Sequence, residues 1–343
     1  MVESFLVTLP TRAASSRAEP KPPVGVIESL TAGFETVASH LGLILFPALL
    51  DLFLWLGPRL SINPMMARFI SFINSVPAGD AEGLQSRAVI VELFKLLGER
   101  TNLFSFLSTS PLGIPSLMAG QFTDRFPDGQ PLTWSISSFL LFLTLALAFT
   151  ITGLLIGTMY FYSISINFAD EGRPSLLEML TRVMLNWAKL TSFGIMVGLT
   201  AFFASVPIFL IIGLLSMLSP GLAAIGQAVW GAMMMWALLY LAFSMHGMVL
   251  KNRGVFGAIW DSIRLVQWNL LSVMGLFIII FLLNWGLGYL WGLPGADSWL
   301  TLAGIGGHAF VSTALVAATF AFYKDRYRWW VEMRQWLLAQ KKK

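Results

Sequence analysis

Three polar side chains interrupt long apolar runs in this sequence, and each is of a type that can do chemistry. Asp51 stands in Phe46-Pro47-Ala-Leu-Leu-Asp51-Leu-Phe-Leu-Trp55. A carboxylate in such surroundings can bind a cation, relay a proton, or accept hydrogen bonds within a helix bundle. Pro47 lacks an N–H, which would leave the Leu43 carbonyl unpaired and favour a kink with a polar pocket. The plain structural alternative pairs Asp51 with Arg59 or with a residue of the segment that follows. His308 lies in Gly304-Ile-Gly-Gly-His308. Asp51 and His308 fall about two helical turns inside their respective runs. One shared site near the same membrane face is therefore geometrically open, against a satisfied buried histidine. Asn284 lies in the middle of another apolar run and is expected to hold helices together by hydrogen bonding. His40 and His246 fall near run ends and read as interfacial.

The runs matter because of what must surround them. Hydrophobic residues make up 56% of the 343-residue chain and charged residues 12%. Soluble domains carry roughly 25% charge, so this composition calls for lipid as the solvent. Cysteine is absent, which excludes disulfide scaffolds, thiolate metal sites and thiol catalysis.

Six runs can span about 30 Å of hydrocarbon: 37–57, 135–163, 191–217, 222–249, 270–292 and 300–323. The expected fold class is all-α, a polytopic membrane helical bundle. Residues 1–24 read as a flexible arm with no cleavable signal peptide, and the first span as an uncleaved anchor. Lys and Arg gather in the arm, in the loops after spans two and four, and in the tail; the six in 58–134 lie in a segment too long for the positive-inside rule to count. The Ser219-Pro220-Gly221 and Gly292–Asp297 turns carry none. This alternation places both termini in the cytoplasm of a cell-membrane protein.

Amphipathic stretches precede three of the spans: 25–40, 174–189 and 254–269. In register, Ile27, Leu176 and Phe256 coincide, as do Phe34, Val183 and Ile263. Each stretch ends on a polar residue (His40, Lys189, Asn269) followed by Leu. The repeated unit reads as an in-plane amphipathic helix, an outgoing helix and a returning one. Residues 58–134 are then an extracytoplasmic helical insertion into the first hairpin, with two or three helices capping the bundle. The domain plan is 1–24, 25–57, 58–134, 135–323 and 324–343.

This layout, with Asn186-Trp187 and Gln267-Trp268-Asn269 at the membrane edge, resembles the membrane domain associated with bacterial glycerophosphodiester phosphodiesterases and related six-span proteins. The hydrolase domain sometimes fused to that family is missing here, so the resemblance implies a fold and no catalysis.

Close-packing pairs occur at Gly153/Gly157, Gly194/Gly198, Gly288/Gly292 and Ala314/Ala318, and Pro207 interrupts the third run. From Lys324 to Lys343 seven cations alternate with aromatics. Trp329, Trp330 and Trp336 with Lys341, Lys342 and Lys343 are expected to anchor this tail on anionic lipid. Nucleic acid is not expected as a partner. Phosphate-binding loops, dinucleotide fingerprints, nucleophile elbows and zincin motifs are absent from the sequence, and Asp170-Glu171-Gly172-Arg173 reads as a solvated turn. No cofactor is expected. The favoured function is non-enzymatic scaffolding or assembly with lipid and other membrane proteins. The alternatives are a transporter or lipid-handling protein using Asp51 and His308, and a membrane enzyme without a recognisable motif.

Overall fold

The computed structural model describes residues 20–77, 81–120, 126–127, 129, 131–169 and 174–341. Most of the arm 1–24, the turn 170–173, Lys342 and Lys343 lie outside these residues. The chain is an all-α bundle. Its helices are α1 (Val26–Ser39), α2 (Leu45–Leu56), α3 (Asn63–Ser75), α4 (Ala81–Arg100), α5 (Phe139–Ile166), α6 (Leu176–Leu218), α7 (Pro220–Leu241), α8 (Ser244–Lys251), α9 (Val255–Trp268), α10 (Leu270–Trp291) and α11 (Thr301–Lys341). Two short strands, β1 (Arg59–Ser61) and β2 (Thr133–Ser135), pair in parallel and tie together the two ends of the insertion.

α11 is the central pillar. The most apolar window of α11 is 67% buried, against 6% for α6. Small residues explain this difference, because Ala309, Ala314, Ala317 and Ala318 let neighbours approach to the backbone. α1 runs antiparallel along α11. Val24 donates its N–H to Asp325, Arg326 donates to the Val24 carbonyl, and further along Phe34 meets Phe310. The Ala314/Ala318 pair thus receives Gly33. A Cβ on Gly33 would lie 2.4 Å from the Ala314 carbonyl oxygen and 2.5 Å from the Ala318 nitrogen. Gly33→Leu is expected to lower stability by about 1–3 kcal/mol through overpacking. Denaturant titration of the purified protein checks this, with Gly42→Ala as an unchanged control because Gly42 faces open space.

Two expectations about the spans need correction. The amphipathic stretch 25–40 is the separate helix α1, which ends at Ser39, so the run 37–57 starts within α1 and is not one rod: His40 leaves the helix (φ −136°, ψ 62°), and a 3₁₀ turn at Leu41–Ile44 leads into α2. α1 and the following segment are bent by 94°. Pro47 therefore falls in the first turn of α2, where a missing N–H costs no helical bond, and it makes no kink. Second, the stretch 174–189 is not a separate helix. Ser175 and Glu178 form a capping box, and nothing breaks the chain from there to Leu218. At 43 residues α6 is about 65 Å long, roughly twice the hydrocarbon thickness, and it runs through Pro207. The tail belongs to the same helix as the sixth run, since α11 continues without interruption to Lys341. The fourth run is divided at Ala242-Phe243 between α7 and α8.

Within the insertion, α3 and α4 pack chiefly on each other, with Phe69 and Phe94 stacked at 6.0 Å. Met65 and Met66 rest on Phe142 near the start of α5. What lies over the bundle is the segment 101–119. Its backbone sits in the Gly153/Gly157 groove of α5, where added Cβ atoms would come within 2.5 Å of the Leu107 oxygen and 2.6 Å of Gly113 Cα. This small-residue pair receives a loop, not a helix.

Candidate functional site

α2 turns Asp51 fully inward, with 0% exposure. A buried carboxylate needs donors on every side. One oxygen accepts from the Ser116 hydroxyl at 2.5 Å and from the Met118 N–H at 3.0 Å; the other accepts from the Leu117 N–H at 3.0 Å. Ser116 in turn accepts from the Ala119 N–H at 2.9 Å. The turn 116–119 is thus a cup of donors closed around one carboxylate. Its donors come from the insertion, while the Arg59 guanidinium lies 4.8 Å over the Phe126 ring.

The structure brings His308 to the same place. Its Nδ1 lies 3.4 Å from the second oxygen of Asp51, within ion-pair distance but without hydrogen-bond alignment. His308 is held there by α11, whose Gly304 and Gly307 form a seat for Trp291. A Cβ on Gly307 would be 2.6 Å from that ring. Trp55, one turn beyond Asp51, donates its indole N–H to the Ala296 carbonyl at 2.8 Å and fixes the end of α2 to the α10–α11 turn.

Asn284 does not glue helices: it is exposed and makes no hydrogen bond among the described residues. The buried residues of α10 are Val273 and Leu276, so its other half stands clear of close neighbours. Asn284 instead shares with His308 the wall of a cleft of about 920 Å³. Thr101, Asn102, Ser105, Thr109 and Ser110 line it from the insertion, and Thr150 and Thr191 from α5 and α6. Thr109 holds a left-handed backbone (φ 45°), uncommon for a β-branched residue and costing about 1–2 kcal/mol. The cleft was not among the expected sites, although Thr101-Asn-Leu-Phe-Ser-Phe-Leu-Ser-Thr-Ser110 carries its signal: hydroxyls recurring between apolar residues.

On the far side of the bundle a second polar cluster ties α8 and α9 to α11. His246 is not interfacial: it is 3% exposed, bonds Thr319 at 2.7 Å, and packs 4.4 Å from the Phe320 ring. Arg253 pairs with Asp261 at 2.9 Å and donates to the Tyr327 hydroxyl at 3.0 Å. Burial pushes the Asp261 carboxyl above its ordinary 3.8, against the opposing pull of Arg253. A raised folded-state pKa contributes stability that is full below 3.8 and lost as pH rises through the raised value. Asp261→Asn is expected to remove that acid-side slope from a stability–pH profile.

The tail residues Trp329, Trp330 and Trp336 are half-buried, and Trp330 contacts Tyr327 at 5.9 Å and Arg334 at 5.8 Å. Lys341 ends α11. Among the described residues no three His, Asp or Glu side chains converge to hold a metal.

Five helices are long and apolar enough to cross a membrane, or six if the bent α1–α2 pair counts as one. Exposed Phe203, Leu210, Leu214 and Met217 on α6 and Met235 on α7 have no place in water. These features define an all-α, membrane-embedded protein. Comparison with protein-family models, curated proteins and solved structures found no match.

Proposed function

We propose that this chain is a non-enzymatic, multi-pass protein of the cell membrane that assembles or stabilises other membrane components. One observation carries the reading: the centre of the bundle is filled. Tyr160, Phe161, Leu190, Met248 and Phe320 are buried there, and Asp51 is spent on the insertion. A pathway for solute would need open, polar space at those positions. What the molecule offers outward is apolar area, on α6 and α7 and on Phe72, Val89 and Leu93 of the α3–α4 hairpin.

Both termini belong on the cytoplasmic side in this reading. The contact of Val24 with Asp325 and Arg326 supports a common side, and the distribution of cations supports the cytoplasm. The repeat is likewise proposed. In its favour, α1 and α9 each have 14 residues, follow a glycine, and end on a residue with φ near −130°. Kinship with the membrane domain of the glycerophosphodiester phosphodiesterase group rests on layout alone. For the test, a photo-crosslinking side chain is placed at Leu93 or at Leu210 in native membranes. A discrete protein adduct at either position is the expected result; adducts to lipid alone contradict the assembly reading.

A second reading, lipid handling, is favoured by the cleft. Its wall contains Thr109 Oγ1 and Thr191 Oγ1, two buried hydroxyls with no hydrogen-bond partner among the described residues, beside His308, whose Nδ1 faces Asp51. Leaving such groups unpaired costs about 1–3 kcal/mol each, so two in one wall favour a ligand there.

A further inference from the structure

We infer that the cleft between the 101–119 segment and helices α5, α6, α10 and α11 binds an amphiphile with an uncharged, hydroxyl-bearing headgroup, such as a glycerol or sugar group. This rests on the lipid-handling reading and adds the class of ligand.

Charge sets the headgroup. The residues lining the cleft include no Lys, Arg, Asp or Glu. The nearby carboxylate of Asp51 sits behind Ser116, already holding three donors. A phosphate would find no Lys or Arg, with His308 turned to Asp51, and a quaternary amine no free carboxylate, and burying either unpaired is costly. Hydroxyls meet no such penalty, because each can donate to one wall and accept from another.

The walls supply those partners. Ser105, Ser110 and Asn284 are at least partly exposed there, and their side chains have no hydrogen-bond partner among the described residues. Behind them lie the Thr109 and Thr191 hydroxyls, which have no hydrogen-bond partner among the described residues, and His308, only 7% exposed and facing Asp51. Small side-chain rotations bring a wall hydroxyl to a headgroup oxygen, at about one net hydrogen bond each.

The apolar half of the ligand follows from where the cleft ends. Phe106, Leu112 and Leu154 form its apolar side, and Ile195 carries it onto α6. Ile195 and Leu199 are 58% and 52% exposed on the face of α6 that the composition assigns to hydrocarbon. An acyl chain leaving the cleft past Ile195 therefore enters lipid directly. A volume of about 920 Å³ suits a headgroup with the first part of its chains.

The test uses the full chain in phosphatidylcholine nanodiscs and native mass spectrometry. The probes are dioctanoylglycerol, its anionic counterpart dioctanoyl phosphatidate, and free glycerol. Saturable retention of one dioctanoylglycerol per chain is expected, with phosphatidate at least tenfold weaker and free glycerol not retained. Thr191→Val, nearly isosteric, combined with Ser105→Ala is expected to weaken dioctanoylglycerol binding about tenfold. Ser105→Ala alone, in the loop, gives a smaller loss in the same direction and serves if the double variant does not fold. Thr144→Val, outside the cleft, leaves binding unchanged. Phosphatidate binding as tightly as the diglyceride overturns the headgroup class and leaves lipid handling standing. Free glycerol binding as well as the diglyceride overturns the amphiphile. If no amphiphile saturates, both readings fall; if the Thr191 and Ser105 variants bind normally, the cleft is not the site.

Discussion

Asp51→Leu is expected to destabilise the purified protein by about 3–5 kcal/mol, the usual cost of removing one member of a buried charged network. Among the described residues the carboxylate is the only acceptor for the Leu117 and Met118 N–H groups, and it takes the Ser116 hydroxyl as well. Removing it strands all three in a site with no water-exposed surface at Asp51. Asp51→Asn keeps one acceptor oxygen and turns an N–H₂ toward a donor, so about 1–3 kcal/mol is expected. Denaturant unfolding in a fixed mild detergent measures both. If Asp51 were instead a free-standing ion or proton site, Asp51→Asn would leave stability unchanged or raised, since an uncompensated buried charge would be gone.

The second large effect lies on the opposite wall of the same loop. Gly157→Leu places a side chain where Gly113 Cα already sits 2.6 Å from an added Cβ, and Gly153→Leu meets the Leu107 oxygen at 2.5 Å. Backbone cannot rotate aside as a side chain can, so the loop must lift. A loss of about 1–3 kcal/mol is expected from overpacking, together with a local opening. Ile114 is 1% exposed, and the protein has no native cysteine. Ile114→Cys should therefore resist a maleimide in the parent and react readily alongside Gly157→Leu. Equal protection in both would mean that α5 does not hold the loop.

These two expectations show what the sequence could and could not disclose. The helical class was legible because hydrocarbon demands long apolar runs, which composition cannot conceal. Asp51 and His308 could be placed at similar depth by counting turns. That a residue of the following segment would satisfy Asp51 was among the alternatives; which one could not be read, because the donors are mostly backbone N–H groups some 65 residues away, and any residue type supplies an N–H. Gly153 and Gly157 announced a close approach, yet spacing alone does not say whether a helix or a loop arrives. Helix ends were the least legible. The end of α1 at His40 fell where the first amphipathic stretch stops, but the merging of 174–189 into α6 depends on the absence of Gly or Pro between Ser175 and Phe193. The continuity of the tail with α11 follows from helix propagation and not from charge.

The central claim is that this chain threads the membrane around α11, with both ends meeting on one side near Val24 and Asp325. Single cysteines in the otherwise cysteine-free protein test it most directly. Lys21→Cys, Asp297→Cys and Gln340→Cys are each exposed to a membrane-impermeant maleimide, first in intact cells and then after permeabilisation. Asp297→Cys is expected to react in intact cells, and Lys21→Cys and Gln340→Cys only after permeabilisation. Reaction of Lys21→Cys and Gln340→Cys from opposite sides, or of all three from one side, would contradict the account.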